Sequence, residues 1–331
     1  MRDVQDCNRC RYVPAGQTGH YESWFLRANH PSLPLAFWIR YTIFSPTGRP
    51  EVAIGELWAI FFDGEIGRNF VVKESVPIAQ CRFSPIDLDA RIGVALLNQH
   101  HLEGRARSAG HTFRWQLDYA GGEPPLLLLA PKFYERGFPK AKALVGSPNA
   151  LFFGTLAIDG RRVAIDGWRG SQNHNWGSRH ADAYAWGQVA GFDNAPRAFL
   201  ECATARVRVG GIPTPPMTVL VLRVEGREYR LNGLLQSLRA TGRFDFFAWH
   251  IEARSPGVRV RAHLHAPDSA FVALRYDNPP GGAKTCLNTK LAACELTLDE
   301  AGEPQRTFAT RQCAAFEILT DRADHGREIA A

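Results

Sequence analysis

The chain has 331 residues, enough for one large or two medium domains. At 45% hydrophobic and 22% charged, it is too apolar to be mainly disordered, and its 30 Gly and 21 Pro follow no triplet or heptad that would mark collagen or a coiled coil. The formal charge is +6, with Arg far outnumbering Lys, but the basic residues alternate with apolar ones and form no run of the kind that grips nucleic acid.

In chain order, the opening MRDVQDC is polar, which predicts no signal peptide. No apolar run reaches the ~18 residues of a membrane span, so a cytoplasmic protein with no transmembrane segment is expected. Cys7 and Cys10 form one CxxC with no second to complete a zinc site. The seven cysteines read as free thiols, and no metal or cofactor is expected. The 20 Phe, 8 Trp and 8 Tyr, against 2 Met, sit in β-branched segments cut by Gly and Pro. Ala36 to Phe44 and Leu57 to Phe62 read as strands, as do Phe113 to Tyr119 and Phe152 to Ile158. Asp159-Gly160 then returns the chain as a hairpin into Arg162 to Ile165. A second hairpin is Val219 to Val224, Glu225-Gly226, Tyr229 to Leu231. Phe244 to Ala253 and Val258 to His265 flank Ser255-Pro-Gly257. Helical spacing is confined to Ile86 to Leu97 and Leu234 to Leu238. The class is all-β, a sandwich or barrel.

The chain also repeats itself. Tyr21-x-x-Trp24 and Pro34-x-Ala36-Phe37 return as Tyr184-x-Trp186 and Pro196-x-Ala198-Phe199. Gly104-Arg105, Trp115-x-Leu117-Asp118 and Ala130-Pro131 return as Gly242-Arg243, Trp249-x-Ile251-Glu252 and Ala266-Pro267. Two homologous β-domains are expected, 1–181 and 182–331.

The densest polar-aromatic stretch, Gly167 to His180, falls at that junction. Trp168 and Trp176 flank Gln172, Asn173, His174 and Asn175. Tryptophans bury a large area, so the stretch is expected to be tucked in with its polar groups partnered. His174 could give or take a proton near neutral pH or orient a polar ligand group; the alternative is a histidine that only locks the two domains together. His263-x-His265 places two imidazoles on one strand face, a weak metal hint.

The run Gly170 to Gly177 (GSQNHNWG), with Trp186 following in YAWGQ, resembles the motif of the carotenoid 1,2-hydratase (hydroxyneurosporene synthase) family. His174, Asn175, Trp176 and Gly177 match its H-N-W-G. The family pattern has a His-Asp pair where this chain has Gln172 and Asn173. The resemblance implies two tandem lipocalin-like (calycin) antiparallel β-barrels, related to tocopherol cyclase and the lipocalin-like Diels–Alderases.

Such a barrel suits a lipophilic small molecule of terpenoid or polyketide type, held by an aromatic wall and converted with the help of an acid. Hydration, cyclisation or isomerisation is the expected chemistry. His174 is the expected proton donor or anchor, with Gln172, Asn173 and Asn175 orienting and Asp182 or Glu56 as acids. Trp168, Trp176, Trp186 and Tyr184 are expected wall residues. Trp38, Arg40, Thr42 and Phe44 share one strand face, as do Glu56, Trp58, Ile60 and Phe62. If Arg40 lies opposite Glu56, a barrel interior holds an ion pair between Trp38 and Trp58; if that face is outside, both charges are solvated. A non-catalytic carrier and a structural protein are the other readings.

Overall fold

The computed structural model describes residues 4–206, 208–209 and 212–331. Met1 to Asp3 of the polar opening lie outside them. The first half carries α1 (Val4–Asn8), β1 (His20–Asn29), β2 (Leu35–Ser45), β3 (Ile54–Asp63), β4 (Arg68–Pro77), β5 (Cys81–Phe83), β6 (Asp89–Ile92), β7 (Ala95–Asn98), β8 (His101–Ser108), β9 (His111–Ala120), β10 (Leu126–Leu127), β11 (Ala141–Ile158) and β12 (Arg161–Gly177). The second carries β13 (Ala183–Phe192), β14 (Ala195–Arg206), β15 (Arg208–Val209), β16 (Ile212–Pro213), β17 (Met217–Val224), β18 (Arg227–Leu231), α2 (Leu234–Arg239), β19 (Thr241–Asp245), β20 (Ala248–Ser255), β21 (Val258–His265), β22 (Val272–Asp277), β23 (Ala283–Glu300) and β24 (Arg306–Thr320). The protein is all-β, built as two tandem lipocalin-like antiparallel barrels. No helix of the described residues is long and apolar enough to cross a membrane.

The two sheets share one path. The first runs β4-β3-β2-β1-β12-β11-β9-β8-β7-β6-β5, with β10 on β11. The second runs β18-β17-β14-β13-β24-β23-β21-β20-β19, with β22 on β23. Tyr21 to Trp24 and Tyr184 to Trp186 thus occupy equivalent strands, β1 and β13. Trp115 and Trp249 do not: β9 is equivalent to β21, whereas Trp249 is on β20. The later block of the repeat is therefore one strand out of step.

Turn chemistry explains the hairpins. Asp159 and Gly160 have φ of 50° and 87°, and Glu225 and Gly226 have 52° and 77°, the doubly positive pair of a type I′ turn. Leu234 to Leu238 is helical, as α2, but Ile86 to Leu97 is not. It contains β6 and β7, with Gly93 at φ 56° in the turn between them. Its short apolar run fits either period, and the glycine turn decides.

Alternation along the strands sorts the side chains into three layers. Leu26, Phe37, Tyr41, Phe61, Trp115, Phe152 and Trp168 fill the first barrel. Leu200, Leu222, Trp249, Phe271 and Phe316 fill the second. A third cluster lies between them: Phe25, Trp38, Trp58, Ile60 and Phe62 from the first half meet Trp186, Val272, Leu274, Tyr276 and Leu319 from the second. The barrels pack through outer faces that are themselves apolar, so their central strands are buried on both sides.

Candidate functional site

A cavity of about 260 Å³ opens in this middle layer. Tyr21, Phe25, Trp38 and Arg40 reach it from β1 and β2, and Asn173 and Asn175 from β12. Tyr184, Trp186 and Glu201 line it from β13 and β14, Tyr276 from β22 and Glu317 from β24. The expected pocket inside a barrel is therefore corrected. Both barrel interiors are filled by their own aromatic side chains, and the space lies between the barrels.

The Trp38–Arg40 face is corrected in the same way. It is neither inside a barrel nor solvated, but buried against the second barrel, with Arg40 5% exposed. Arg40 lies opposite Trp58, and Glu56 lies opposite Thr42, a shift of two residues that preserves the shared face. Glu56 instead pairs with Lys73 at 2.9 Å and accepts from Trp58 Nε1 at 3.2 Å.

The polar-aromatic stretch Gly167 to His180 is mostly strand, part of β12, and alternation splits its residues. Ser171, Asn173 and Asn175 face the middle layer. Gln172, His174 and Trp176 face the first barrel, where the N-terminal segment covers them. The His174 ring stacks between Trp24, at 4.8 Å, and Trp176, at 4.7 Å. Its Nε2 lies 2.8 Å from Glu22 Oε1 and its Nδ1 2.8 Å from the Cys7 carbonyl oxygen. Arg11 Nη1 lies 3.4 Å from the same Nδ1, so a neutral ring can donate from Nε2 to Glu22 and accept at Nδ1 from Arg11; burial favours that form and lowers the His174 pKa against the pull of Glu22. Although burial opposes it, Glu22 is held ionised, at about 2, by hydrogen bonds from the His174 and His20 rings. The Arg11 backbone N–H also donates to it at 2.9 Å. Gln172 donates to Asn8 Oδ1 at 3.2 Å, and the Arg11 guanidinium lies 3.8 Å over the Trp176 ring.

His174 also borders the cavity, where Asn173, Asn175, Tyr184, Trp186, Trp38 and Arg40 gather; Gln172, Trp168, Trp176, Trp58, Glu56 and Asp182 do not line it. Trp168 packs inside the first barrel, 6.1 Å from Phe37. Asp182 sits beside Arg179 at 3.6 Å. His263 on β21 stacks with His250 on β20 at 4.0 Å and with His265 at 4.7 Å, away from the cavity, and among the described residues no group of three ligands is placed to hold a metal.

Glu201 is a carboxyl group that the sequence reading missed. Its oxygens accept from Trp186 Nε1 at 2.7 Å and Gln188 Nε2 at 2.8 Å. Burial pushes its pKa up to about 8, past the pull of those two donors, so it keeps its proton at neutral pH. Gln188 carries the network onward: its Nε2 also donates to Asn173 Oδ1 at 2.7 Å, and its Oε1 accepts from Arg27 Nε at 2.9 Å and Ser171 Oγ at 2.6 Å. Glu317, also missed, pairs with Lys290 at 2.8 Å. A signal for Glu201 was present: it is the lone charge in the apolar run AFLECATA.

Fold and site together define a class, a lipocalin-like double barrel with an apolar, acid-bearing cavity between its halves. No protein-family model matches the chain. It is 26% identical, over 89% of its own length and 87% of theirs, to the uncharacterized proteins Rv0493c and MT0513 of two Mycobacterium tuberculosis strains. Its fold is similar to that of kievitone hydratase from Nectria haematococca, with a TM-score of 0.58, 11% identity and 97% and 93% of the two chains covered. It is also similar to CghA with Sch210972, with a TM-score of 0.57, 11% identity and 97% and 96% covered.

Proposed function

We propose that this chain binds a lipophilic small molecule in the cavity between its barrels and converts it by proton transfer, with Glu201 as the acid. The observation that carries this reading is a buried carboxyl group on an apolar cavity walled by Trp38 and Trp186. A carboxylic acid there can protonate an alkene carbon or a carbonyl oxygen, the step that opens a hydration, cyclisation or isomerisation. The carboxylate left behind is met by the Trp186 and Gln188 N–H groups, with the Arg27 guanidinium behind Gln188. Asn175, whose buried Oδ1 has no partner, supplies a polar anchor for the substrate. Asn173, Trp38 and Tyr184 shape the wall. His174, with both ring nitrogens engaged by protein groups, acts as a positioning residue: its pairing with Glu22 fixes the strand that carries Asn173 and Asn175.

The resemblance of His174 to Gly177 to the carotenoid 1,2-hydratase motif, and the likeness of fold to a hydratase, favour a terpenoid- or polyketide-like substrate. The units 1–181 and 182–331 then act together, since each supplies half of the cavity. The test is native mass spectrometry of protein purified without organic extraction, followed by incubation with the lipophile released. Glu201→Gln should keep binding and lose turnover by at least about a hundredfold. Equal turnover by both proteins removes Glu201 as the acid, and binding without turnover by the wild type identifies a carrier.

A further inference from the structure

We infer that the ligand of this cavity is an acid: an apolar molecule with a carboxylate, or an equivalent acidic oxygen group, that pairs with Arg40. This rests on the reading of the cavity as a lipophile site and names the ligand's chemical class. The guanidinium of Arg40 stacks 4.7 Å over the Tyr276 ring, and Nη2 donates to Ser23 Oγ at 2.6 Å. Its buried Nε–H has no partner, and neither has the buried Nε1–H of neighbouring Trp38. Among the described residues no carboxylate lies within 4 Å of Arg40, and Glu56 is taken by Lys73.

Burial opposes the Arg40 charge, and Glu317 and Glu56 favour it from beyond contact distance, but both carboxylates already hold a lysine. Lys290 and Glu317 neutralise each other at 2.8 Å. His180 is neutral, held to about 3 by burial and the nearby Arg40, and Glu201 is uncharged at neutral pH. Lys142 at the rim adds a second cation, donating to the Pro139 carbonyl oxygen at 2.8 Å. Tyr184 and Tyr276 are kept in their neutral phenol form by burial. A buried, unpaired guanidinium costs several kcal/mol of desolvation unless an anion meets it. Two unfilled N–H donors on one wall suit two acceptor oxygens, the pattern of a carboxylate. The ligand's acidic end then lies against Arg40 and Trp38, and its body runs along Phe25, Trp186 and Val219 towards Glu201.

The experiment is calorimetric titration of the full chain at pH 7 with decanoate, decanol and methyl decanoate, which share a tail and differ in head group. Decanoate should bind at least about tenfold more tightly than either neutral probe. Arg40→Met should bring decanoate affinity down to that of decanol, and Arg40→Lys should keep part of the preference. Equal affinity for the three probes in the wild type overturns the acidic-ligand inference and leaves the lipophile site standing. Binding of none of them overturns both. The head-group ranking in the wild type decides the matter even if Arg40→Met does not fold.

Discussion

Two buried glutamates set opposite pH dependences. Glu22, held at about 2 against an ordinary 4.5, stabilises the fold above pH 4.5 and loses that contribution as pH falls towards 2. Glu201, raised to about 8, binds a proton in the folded chain that the unfolded chain has released, so its contribution is full below pH 4.5 and is lost as pH rises to 8. Glu201→Gln should abolish that second slope. The stability difference between variant and wild type, read from urea melts, should move in the variant's favour by on the order of 4 kcal/mol from pH 4.5 to 8. A difference that stays flat with pH shows that Glu201 is ionised throughout. Turnover should fall through pH 8 in the wild type as the acid loses its proton. His174→Ala should cost on the order of 3 kcal/mol, because it strips a partner from a carboxylate with no access to water. A cost below about 1 kcal/mol would mean that the His20 and Arg11 contacts alone hold Glu22.

At the level of the strand, β12 does most to place the site. Gly170 lies opposite Ala28 on β1, and a Cβ there would sit 1.8 Å from the Arg27 carbonyl oxygen. Gly170→Ala must therefore push β1 away from β12 and displace Arg27 and Ser171 from Gln188. A loss of more than about 2 kcal/mol is expected in a denaturant melt; an unchanged midpoint would show that the strands separate freely there. The same strand shows what the sequence makes legible. Asp-Gly and Glu-Gly turns marked the hairpins, because few residues accept two positive φ angles in succession. Shared faces followed from the period of two, so Trp38 with Arg40, and Glu56 with Trp58, were placed together. Which face lay inside was not legible. A strand packed on both sides loses the alternation of apolar and polar residues that marks a single buried face, and β1, β2 and β3 are buried almost throughout. The register of β2 on β3 slipped by two because the connection between them is too long for turn geometry to set it. His174 was singled out for its polar neighbours, yet strand alternation points it away from Asn173 and Asn175. Glu22 shares its face, two residues from Trp24, and period-two counting along Tyr21-Glu-Ser-Trp would have paired them.

Across the whole molecule, the middle layer ties the barrels into one folding unit. Arg27 on β1 donates to Gln188 Oε1 and to the Gln188 carbonyl oxygen on β13, and to the Cys313 carbonyl oxygen on β24. Asn29 donates to the Lys290 and Gln312 carbonyl oxygens. Around these bonds lie Trp38, Trp58, Phe62, Trp186 and Leu274, an apolar layer between the barrels. Separating the barrels would expose that layer and leave buried polar groups unmet, so neither half gains by unfolding alone. The intact chain should melt in a single calorimetric transition, with calorimetric and van't Hoff enthalpies equal. Arg27→Leu combined with Asn29→Ala removes these particular ties without opening either barrel core. The double variant should broaden the transition or split it in two, and occupancy of the cavity by a tightly bound ligand should draw the two back together, because only the docked pair of barrels forms the site. Two resolved transitions in the ligand-free wild type would show that the barrels are independent, and the cavity would then be a cleft between two bodies free to part.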